Sequence, residues 1–137
     1  MEAHSSLAID VARSHIKAWS SHDWVTTRAL LSPDIHAWVT STQPGSGTSE
    51  ITGIDAYMAP KVRAAQLIEP ESVREIVALG DEQNALVVVT FEIGLGQDGS
   101  LTTMVRSCVY RLDESSRIQE ERDSFYLVPS ATAIGSH

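Results

Sequence analysis

The pattern of apolar and polar positions divides the chain into a helical first half and a strand-rich second half. From Ser72 onward the chain changes character and becomes one predicted strand after another, separated by polar turns. Helices are predicted over residues 5–21, Trp24–Leu31 and Ile54–Leu67. Strands are predicted over Asp34–Ser41, Ser72–Leu79, Asn84–Gly94, Leu101–Leu112 and Ile118–Val128.

Several residues mark the ends of these elements. The first helix carries an apolar stripe that contains Leu7, Val11, Ile16 and Trp19. Asp23 is placed to cap the second helix, and Ser32-Pro33 is placed to end it. The segment TQPGSGTSEITG, residues 42–53, is rich in Gly, Ser and Thr and is predicted to be a loop.

The order of elements predicts the fold class. Helices followed by a run of hairpins indicate an α+β fold, a cone-shaped, curved antiparallel or mixed β-sheet with three helices packed on its concave face. Parallel α/β folds need helical crossovers, and no helix separates the last strands. The 137 residues suffice for one domain, predicted over residues 5–129, and residues 130–137 are predicted to form a flexible tail.

Composition and charge narrow the possible partners. The net charge of −8 argues against nucleic acid and acidic membranes. No apolar run approaches the roughly 20 residues that span a bilayer, and the N-terminus lacks a signal-peptide pattern, so a cytoplasmic location is expected. The single cysteine, Cys108, excludes an internal disulfide framework, and we expect no metal site because no second ligand accompanies His36 at a suitable spacing.

Four segments carry a family resemblance: HDWVTTRALLSPDIHAWV, TGIDAYM, VVTFEIG and YRLDESSRIQ. In that order they resemble the second helix and first strand, the third-helix entry, the central strand and the last hairpin of the nuclear transport factor two-like superfamily. Within it, the chain looks like the SnoaL-like cyclases and ketosteroid isomerases. The resemblance covers about residues 8–128 and implies a conical α+β fold. This superfold contains isomerases, cyclases, dehydratases, epoxide hydrolases and inert binding modules, so the fold alone selects no reaction.

The ketosteroid isomerase pattern is not preserved in this chain. By resemblance, the tyrosine that polarises the substrate carbonyl falls at His15. The carboxylate base falls near Val39, with Thr40 as the closest polar residue, and the protonated aspartate falls at Cys108. Because all three are replaced, steroid isomerisation by that mechanism is not expected.

A second branch, the limonene epoxide hydrolases, is resembled at one place. The stretch Arg122–Phe125, RDSF, is similar to their Arg-Asp-aromatic stretch on the last strand, which places Asp123 at the position of a base carboxylate. That branch also has an arginine and an aspartate two residues apart on the central strand. In this chain the matching segment is Val89–Ile93, and neither residue is present there.

Strand alternation predicts which side chains face the inside of the cone. The inward set on the fourth predicted strand is Met104, Arg106, Cys108, Tyr110 and Leu112. The inward set on the third is Val87, Val89, Phe91 and Ile93, which leaves Glu92 outward. On the last strand the inward set is Gln119, Glu121, Asp123, Phe125 and Leu127.

A tight turn at Asp113–Ser116 would place Arg106 opposite Asp123, and Cys108 opposite Glu121. A slip of one residue in register would reverse this prediction.

The candidate catalytic residues are Asp123, Glu121, His15 and Arg106. Asp123 is either a general base made more basic by burial or a structural partner of Arg106. His15 either donates to a substrate oxygen or bonds a backbone carbonyl, and Glu121 is either a second acid/base or part of a hydrated cavity mouth. Arg106 either anchors an anionic oxygen or pairs with Asp123.

Candidate substrate-contacting residues line the predicted interior: Trp19, Val39, Tyr57, Met58, Phe91, Met104, Cys108 and Phe125. Cys108 is expected to be a small core residue rather than a nucleophile, because a facing carboxylate raises a thiol pKa. If Ile35, Ala37 and Val39 face the cone, His36 and Trp38 lie on the convex surface. An exposed tryptophan there predicts a homodimer interface, whereas the opposite parity would place both residues in the site.

Two functions remain open from the sequence. The first is a cofactor-independent SnoaL-like enzyme that performs cyclisation, isomerisation, dehydration or epoxide opening on an apolar oxygenated molecule, such as a polyketide or terpenoid intermediate. The second is a non-catalytic ligand-binding or dimerisation module with a vestigial cavity. An open cavity with Asp123 at its base favours the enzyme, and a cone filled by Trp19, Met104 and Phe125 favours the module.

Overall fold

The computed structural model describes residues 6–42, 47–94 and 98–128, so the predicted tail at residues 130–137 lies outside the described residues. The three helices are α1 (Leu7–Ser20), α2 (Trp24–Ala29) and α3 (Ile54–Ala65). The six strands are β1 (Leu31–Ser41), β2 (Thr48–Thr52), β3 (Arg74–Gly80), β4 (Asn84–Ile93), β5 (Thr102–Leu112) and β6 (Ile118–Val128). No helix in these ranges is long and apolar enough to cross a membrane.

The strands form one mixed sheet in the order β2-β1-β6-β5-β4-β3. Every neighbouring pair is antiparallel except β1 and β6, which run parallel. Helix α1 packs mainly on β4, and α3 packs mainly on β1. The predicted α+β architecture of a mixed sheet with three helices is confirmed.

Side-chain caps begin the first two helices. Ser6 Oγ accepts a hydrogen bond from the Ile9 N–H at 3.2 Å, and Asp23 Oδ1 accepts one from the Thr26 N–H at 3.1 Å. The predicted cap at Asp23 is therefore confirmed. The predicted stripe of α1 is only half right: Ile16 and Trp19 are buried, but Leu7 is exposed.

Two predictions about the first half are wrong. Strand β1 already begins at Leu31, so Ser32-Pro33 lies inside the strand instead of ending a helix. Pro33 is tolerated because the ladder with β6 shifts register between Leu31 and His36, where a missing N–H costs little. The predicted loop contains strand β2, a short and largely exposed edge strand with no alternation to reveal it.

The predicted strand faces are confirmed over most of the sheet. Val87, Val89, Phe91 and Ile93 are buried, and Glu92 points to the other face, where Thr103 Oγ1 donates to its carboxylate. On β6 both Glu121 and Asp123 are buried on the inner face.

The predicted register of the last hairpin is wrong by two residues. Arg106 pairs with Phe125, Cys108 with Asp123, and Tyr110 with Glu121. A three-residue turn ending at Ser116, whose φ is +63°, accounts for one residue of the difference.

A bulge accounts for the second residue of that difference. The register shifts between Arg111 and Leu112, which pair with Glu120 and Ile118 and leave Gln119 without a partner on β5. Ile118 is fully buried in its place, so the prediction that Gln119 continues the inner face is wrong. An even shift preserves parity, which is why Glu121 and Asp123 still face inward.

The left-handed conformation of Ser116 gives a test of the hairpin. A left-handed backbone costs a non-glycine residue about 1–2 kcal/mol, and a glycine at the same position avoids this cost. Glycine also has greater freedom in the unfolded chain, which offsets about 0.5–1 kcal/mol of the stabilisation. We expect Ser116→Gly to raise the free energy of unfolding by about 0.5–1 kcal/mol in urea titrations. Ser115→Gly, in the same turn without a positive φ, is the matched control and should not stabilise the protein.

Candidate active site

A cavity of about 350 Å³ opens between the inner face of the sheet and helices α1 and α3. Its wall is largely apolar and includes Val39, Phe91, Met104, Phe125 and Leu127. The polar and aromatic members of the wall are Trp19, Tyr57, Lys61, Arg106 and Asp123. The cone is therefore open, with Asp123 on its wall.

Six of the eight predicted substrate-contacting residues lie on this wall: Trp19, Val39, Tyr57, Phe91, Met104 and Phe125. Met58 and Cys108 do not line the cavity and belong to the hydrophobic core. Met58 follows Tyr57 on α3, so the helical turn directs it away from the wall. Cys108 pairs with Val87 and Asp123 in the middle of the sheet, and burial raises its thiol pKa, which agrees with a core role.

An ion pair joins the two strands at the polar end of the cavity. Arg106 Nη2 donates to Asp123 Oδ2 at 2.7 Å, although the backbone register sets the two residues diagonally rather than opposite each other. A diagonal pair is within reach of a long side chain. Arg106 lies on β5, outside the segment Val89–Ile93.

Beneath the wall, Tyr57 connects two helices to the sheet. Its hydroxyl donates to Glu121 Oε1 at 2.6 Å and lies 3.1 Å from His15 Nε2. Since the single hydroxyl proton is directed to Glu121, the hydroxyl oxygen accepts from His15 Nε2–H. His15 Nδ1 is then the acceptor for the Tyr110 hydroxyl at 3.2 Å. The network fixes one neutral tautomer of His15.

His15 is fully buried and is absent from the cavity wall, where Tyr57 stands instead. Burial, reinforced by the positive charge of Lys61, holds the His15 pKa well below its ordinary value. The prediction that His15 contacts a substrate oxygen disagrees with this placement, because its ring nitrogens are occupied by Tyr57 and Tyr110. Its place in the network is that of a positioning residue for the Tyr57 hydroxyl.

Glu121 is likewise fully buried and lies behind the wall, so it is not part of a hydrated cavity mouth. Its pKa is lowered: burial raises it, but the positive charge of Lys61 and hydrogen bonds from Asp123 and Tyr57 outweigh burial. For Asp123, burial outweighs the attraction of Arg106 and, together with the charge of Glu121, raises the pKa to about 7.

The two carboxyl groups lie on the inner face of β6, and each influences the pKa of the other. Asp123 Oδ2 accepts from Arg106 and Glu121 Oε1 accepts from Tyr57, and within the described residues Asp123 Oδ1 and Glu121 Oε2 are buried without a hydrogen-bond partner. A proton on Asp123 Oδ1 would satisfy both remaining oxygens, which agrees with the opposite pKa shifts of the two groups. The proton therefore belongs to the pair and is held mainly by Asp123.

Lys61 is the wall residue that the sequence analysis missed. Its ammonium lies 3.7 Å from Glu121 Oε2, 4.8 Å from the Trp19 ring centroid and 5.2 Å from the Tyr57 ring centroid. The available signal was its position four residues after Tyr57, which places both side chains on one face of α3.

The structure places His36 and Trp38 on the outer face of the sheet, opposite Ala37 and Val39. Their rings stack with centroids 3.9 Å apart, and the Arg122 guanidinium lies 4.1 Å from the Trp38 ring centroid. His36 also pairs with Glu50 of β2. In the described part of the chain, no group of three or more His, Cys, Asp or Glu side chains could hold a metal ion.

No protein-family model and no curated protein matches the chain. A protein from Kribbella flavida is 21% identical with a TM-score of 0.70, over 88% of each chain. An LEH-like epoxide hydrolase from M. tuberculosis is 21% identical with a TM-score of 0.66, over 87% of this chain and 82% of that one. An NTF2-like protein of unknown function from Burkholderia pseudomallei is 19% identical with a TM-score of 0.67, over 87% and 90%. The chain therefore has the nuclear transport factor two-like fold.

The raised pKa of Asp123 makes stability depend on pH. Between its ordinary value of 3.8 and about 7, the folded protein keeps a proton that the unfolded chain has released. The free energy of unfolding should therefore fall across this window as pH rises, by up to about 1.4 kcal/mol per pH unit from this group.

Asp123→Asn removes this dependence. In urea titrations from pH 5 to 8, we expect the stability of the wild type relative to the variant to fall up to about pH 7 and then level off. Asp34→Asn, at an exposed position of β1, is the control. A flat difference for Asp123→Asn would contradict a proton-holding carboxyl at this position.

Proposed function

We propose that the protein is an enzyme that performs acid/base chemistry on an apolar, oxygenated small molecule. The observation that carries this proposal is the open apolar cavity whose polar end is formed by Asp123. A collapsed cone would have favoured an inert module, but Trp19, Met104 and Phe125 line the cavity without filling it.

Asp123 is the proposed acid and base. A carboxyl with a pKa of about 7 is populated in both protonation states near neutral pH, which suits a group that accepts a proton and later returns it. In its ionised form it would take a proton from a substrate C–H or O–H group, or from water. Glu121 lies behind the wall, where its charge raises the pKa of Asp123 without any contact with the substrate.

Arg106 and Lys61 are the proposed stabilisers of the negative charge that develops on a substrate oxygen. Both side chains lie on the wall at the polar end, in an environment where apolar neighbours strengthen electrostatic interactions. Lys61 takes the role that the sequence analysis gave to His15. His15 does not contact the substrate and instead orients the hydroxyl of Tyr57.

Intramolecular aldol cyclisation, isomerisation, dehydration and epoxide opening all require this combination of a carboxyl acid/base and an oxyanion site. The similarity in fold to an LEH-like epoxide hydrolase makes epoxides natural first substrates to test. We include polyketide and terpenoid intermediates in the proposed class, because the apolar wall suits their skeletons.

The test is a thermal-shift screen of apolar epoxides, ketones and β-diketones, followed by mass spectrometry of the hits for turnover. We expect Asp123→Asn to keep ligand binding within about threefold and to lose at least about 100-fold in kcat/KM, the range typical for removal of a general acid/base. Asp34→Asn is the matched control and should keep full activity. Unchanged turnover in Asp123→Asn would refute the proposed base.

The screen also separates the enzyme from the non-catalytic module. Ligands that bind the wild type without any turnover would support a binding module.

The outer-face cluster formed by His36, Trp38 and Arg122 is proposed to lie in a homodimer interface. A stacked, partly exposed tryptophan on the outer face of a sheet is typical of contact surfaces. We expect a mass near twice 14.9 kDa by light scattering for the wild type and a shift toward the monomer for Trp38→Glu. Val25→Glu on the exposed side of α2 is the control and should leave the mass unchanged. A wild-type monomer would contradict the interface.

A further inference from the structure

Three N–H groups at the polar end of the cavity have hydrogens without an acceptor. Trp19 Nε1 and Arg106 Nε are buried and lack a hydrogen-bond partner among the described residues. In the same part of the chain, Lys61 Nζ has only its ion pair with Glu121 Oε2, which at 3.7 Å is too long for a hydrogen bond. Buried donors without an acceptor, such as Trp19 Nε1 and Arg106 Nε, are costly, so an acceptor supplied by a ligand is expected nearby.

These donors belong to one cluster. The Lys61 ammonium and the Arg106 guanidinium both lie over the Trp19 ring, 4.8 and 5.9 Å from its centroid. All three residues line the same cavity, and the side chain of Lys61 is only 10% exposed. The donors therefore surround one end of one cavity.

The acceptors at this end are the four carboxyl oxygens of Asp123 and Glu121. Asp123 Oδ2 accepts from Arg106 and Glu121 Oε1 accepts from Tyr57, while one proton between the two remaining, unpartnered oxygens would satisfy both. With that proton in place, the cavity offers a ligand several donors and no free acceptor.

The net charge at the polar end of the cavity also favours a ligand that accepts hydrogen bonds and carries negative charge. The groups that face Asp123 are Arg106, Cys108 and Tyr110 from β5, Glu121 from β6, Tyr57 and Lys61 from α3, and His15 from α1. Burial keeps His15, Cys108, Tyr57 and Tyr110 neutral. With one proton on the carboxyl pair, Lys61 and Arg106 face a single negative charge, and the net charge at this end is +1.

We propose that the ligand of this cavity is an apolar molecule with one ionised carboxylate, whose oxygens accept hydrogen bonds from Lys61 and Arg106 while its apolar part lies along Phe91, Met104 and Phe125. This inference rests on the proposed function in taking the cavity as the substrate site. It adds the class of the substrate, because a neutral ketone or epoxide would leave the charge of +1 uncompensated. A cavity of about 350 Å³ is near the lower end of small-molecule sites, so the acid is small.

Binding is coupled to the proton on the carboxyl pair. Below about pH 7 Asp123 is protonated and the end of the cavity carries its positive charge. Above that pH Asp123 ionises, the net charge falls to zero, and the attraction for a carboxylate weakens by up to about tenfold per pH unit. If both carboxyls were ionised throughout, the affinity for a carboxylate would not change across this pH range.

Octanoate and its neutral isostere octanamide are suitable probes, and calorimetric titration with the full chain measures their affinities. At pH 6 we expect octanoate to bind at least about tenfold more tightly than octanamide, since an opposite charge in a poorly hydrated site is worth more than about 1.4 kcal/mol. At pH 8.5 the preference should shrink at least about threefold.

Lysine variants identify the residue responsible. Lys61→Met should weaken octanoate binding at least about tenfold and leave octanamide binding within about twofold, and Lys61→Arg should keep the preference. Lys17→Met removes the only other lysine, on the exposed side of α1, and should change neither affinity. Retained octanamide binding shows that the cavity of Lys61→Met is intact.

Two results would overturn the inference in distinguishable ways. Equal binding of octanamide and octanoate by the wild type would refute the carboxylate site and leave the proposed acid/base enzyme standing. Binding of neither probe at millimolar concentration would also refute the carboxylate site, and the screen of epoxides, ketones and β-diketones would then decide the proposed function separately.

Discussion

The structure of the site depends on one hydrogen bond, the donation of the Tyr57 hydroxyl to Glu121. Because a hydroxyl has a single proton, this bond obliges His15 to donate through Nε2 and to accept through Nδ1, which fixes its tautomer. The same bond ties α3 to β6, and Lys61 of α3 lies beside the Glu121 carboxylate. Glu121 can then stay ionised at full burial, and the proton of the carboxyl pair passes to Asp123. This one hydrogen bond thus determines the protonation states of His15, Glu121 and Asp123.

Most of the fold could be predicted from the sequence because its elements are strongly patterned. The burial of β4 alternates over its whole length, and its inner face could be predicted because Thr90 and Glu92 separate the apolar residues Val89, Phe91 and Ile93. The failures occur where local signals are weak or overridden. Ser32-Pro33 is a good helix terminator that a register shift allows into a strand, and β2 is an exposed edge strand whose residues resemble a loop.

The site was predictable in its residues but not in its geometry. Parity identified Arg106, Glu121 and Asp123 as inward-facing, but pairing depended on the turn at Ser116 and the bulge at Gln119, which have no clear sequence signal. Lys61 was overlooked because its importance arises only when α3 docks on the sheet. The placement of His15 behind Tyr57 depends on the same docking, since a helical stripe specifies a face but not a depth.

The parallel pairing of β1 with β6 makes the inner site and the outer face depend on one register. Val39 pairs with Asp123, and the preceding residues of the two strands, Trp38 and Arg122, also pair. A shift of one residue in β6 would bury Arg122 and Glu120 in the cone and expose both carboxyls of the site. Such a shift would cost the desolvation of Arg122, which at present contacts the Trp38 ring and Glu120 near solvent. The charged stretch of β6 therefore fixes its own register, because its inner face carries two carboxyl groups that Arg106, Lys61 and Tyr57 satisfy, whereas its outer face carries Glu120 and the positively charged Arg122.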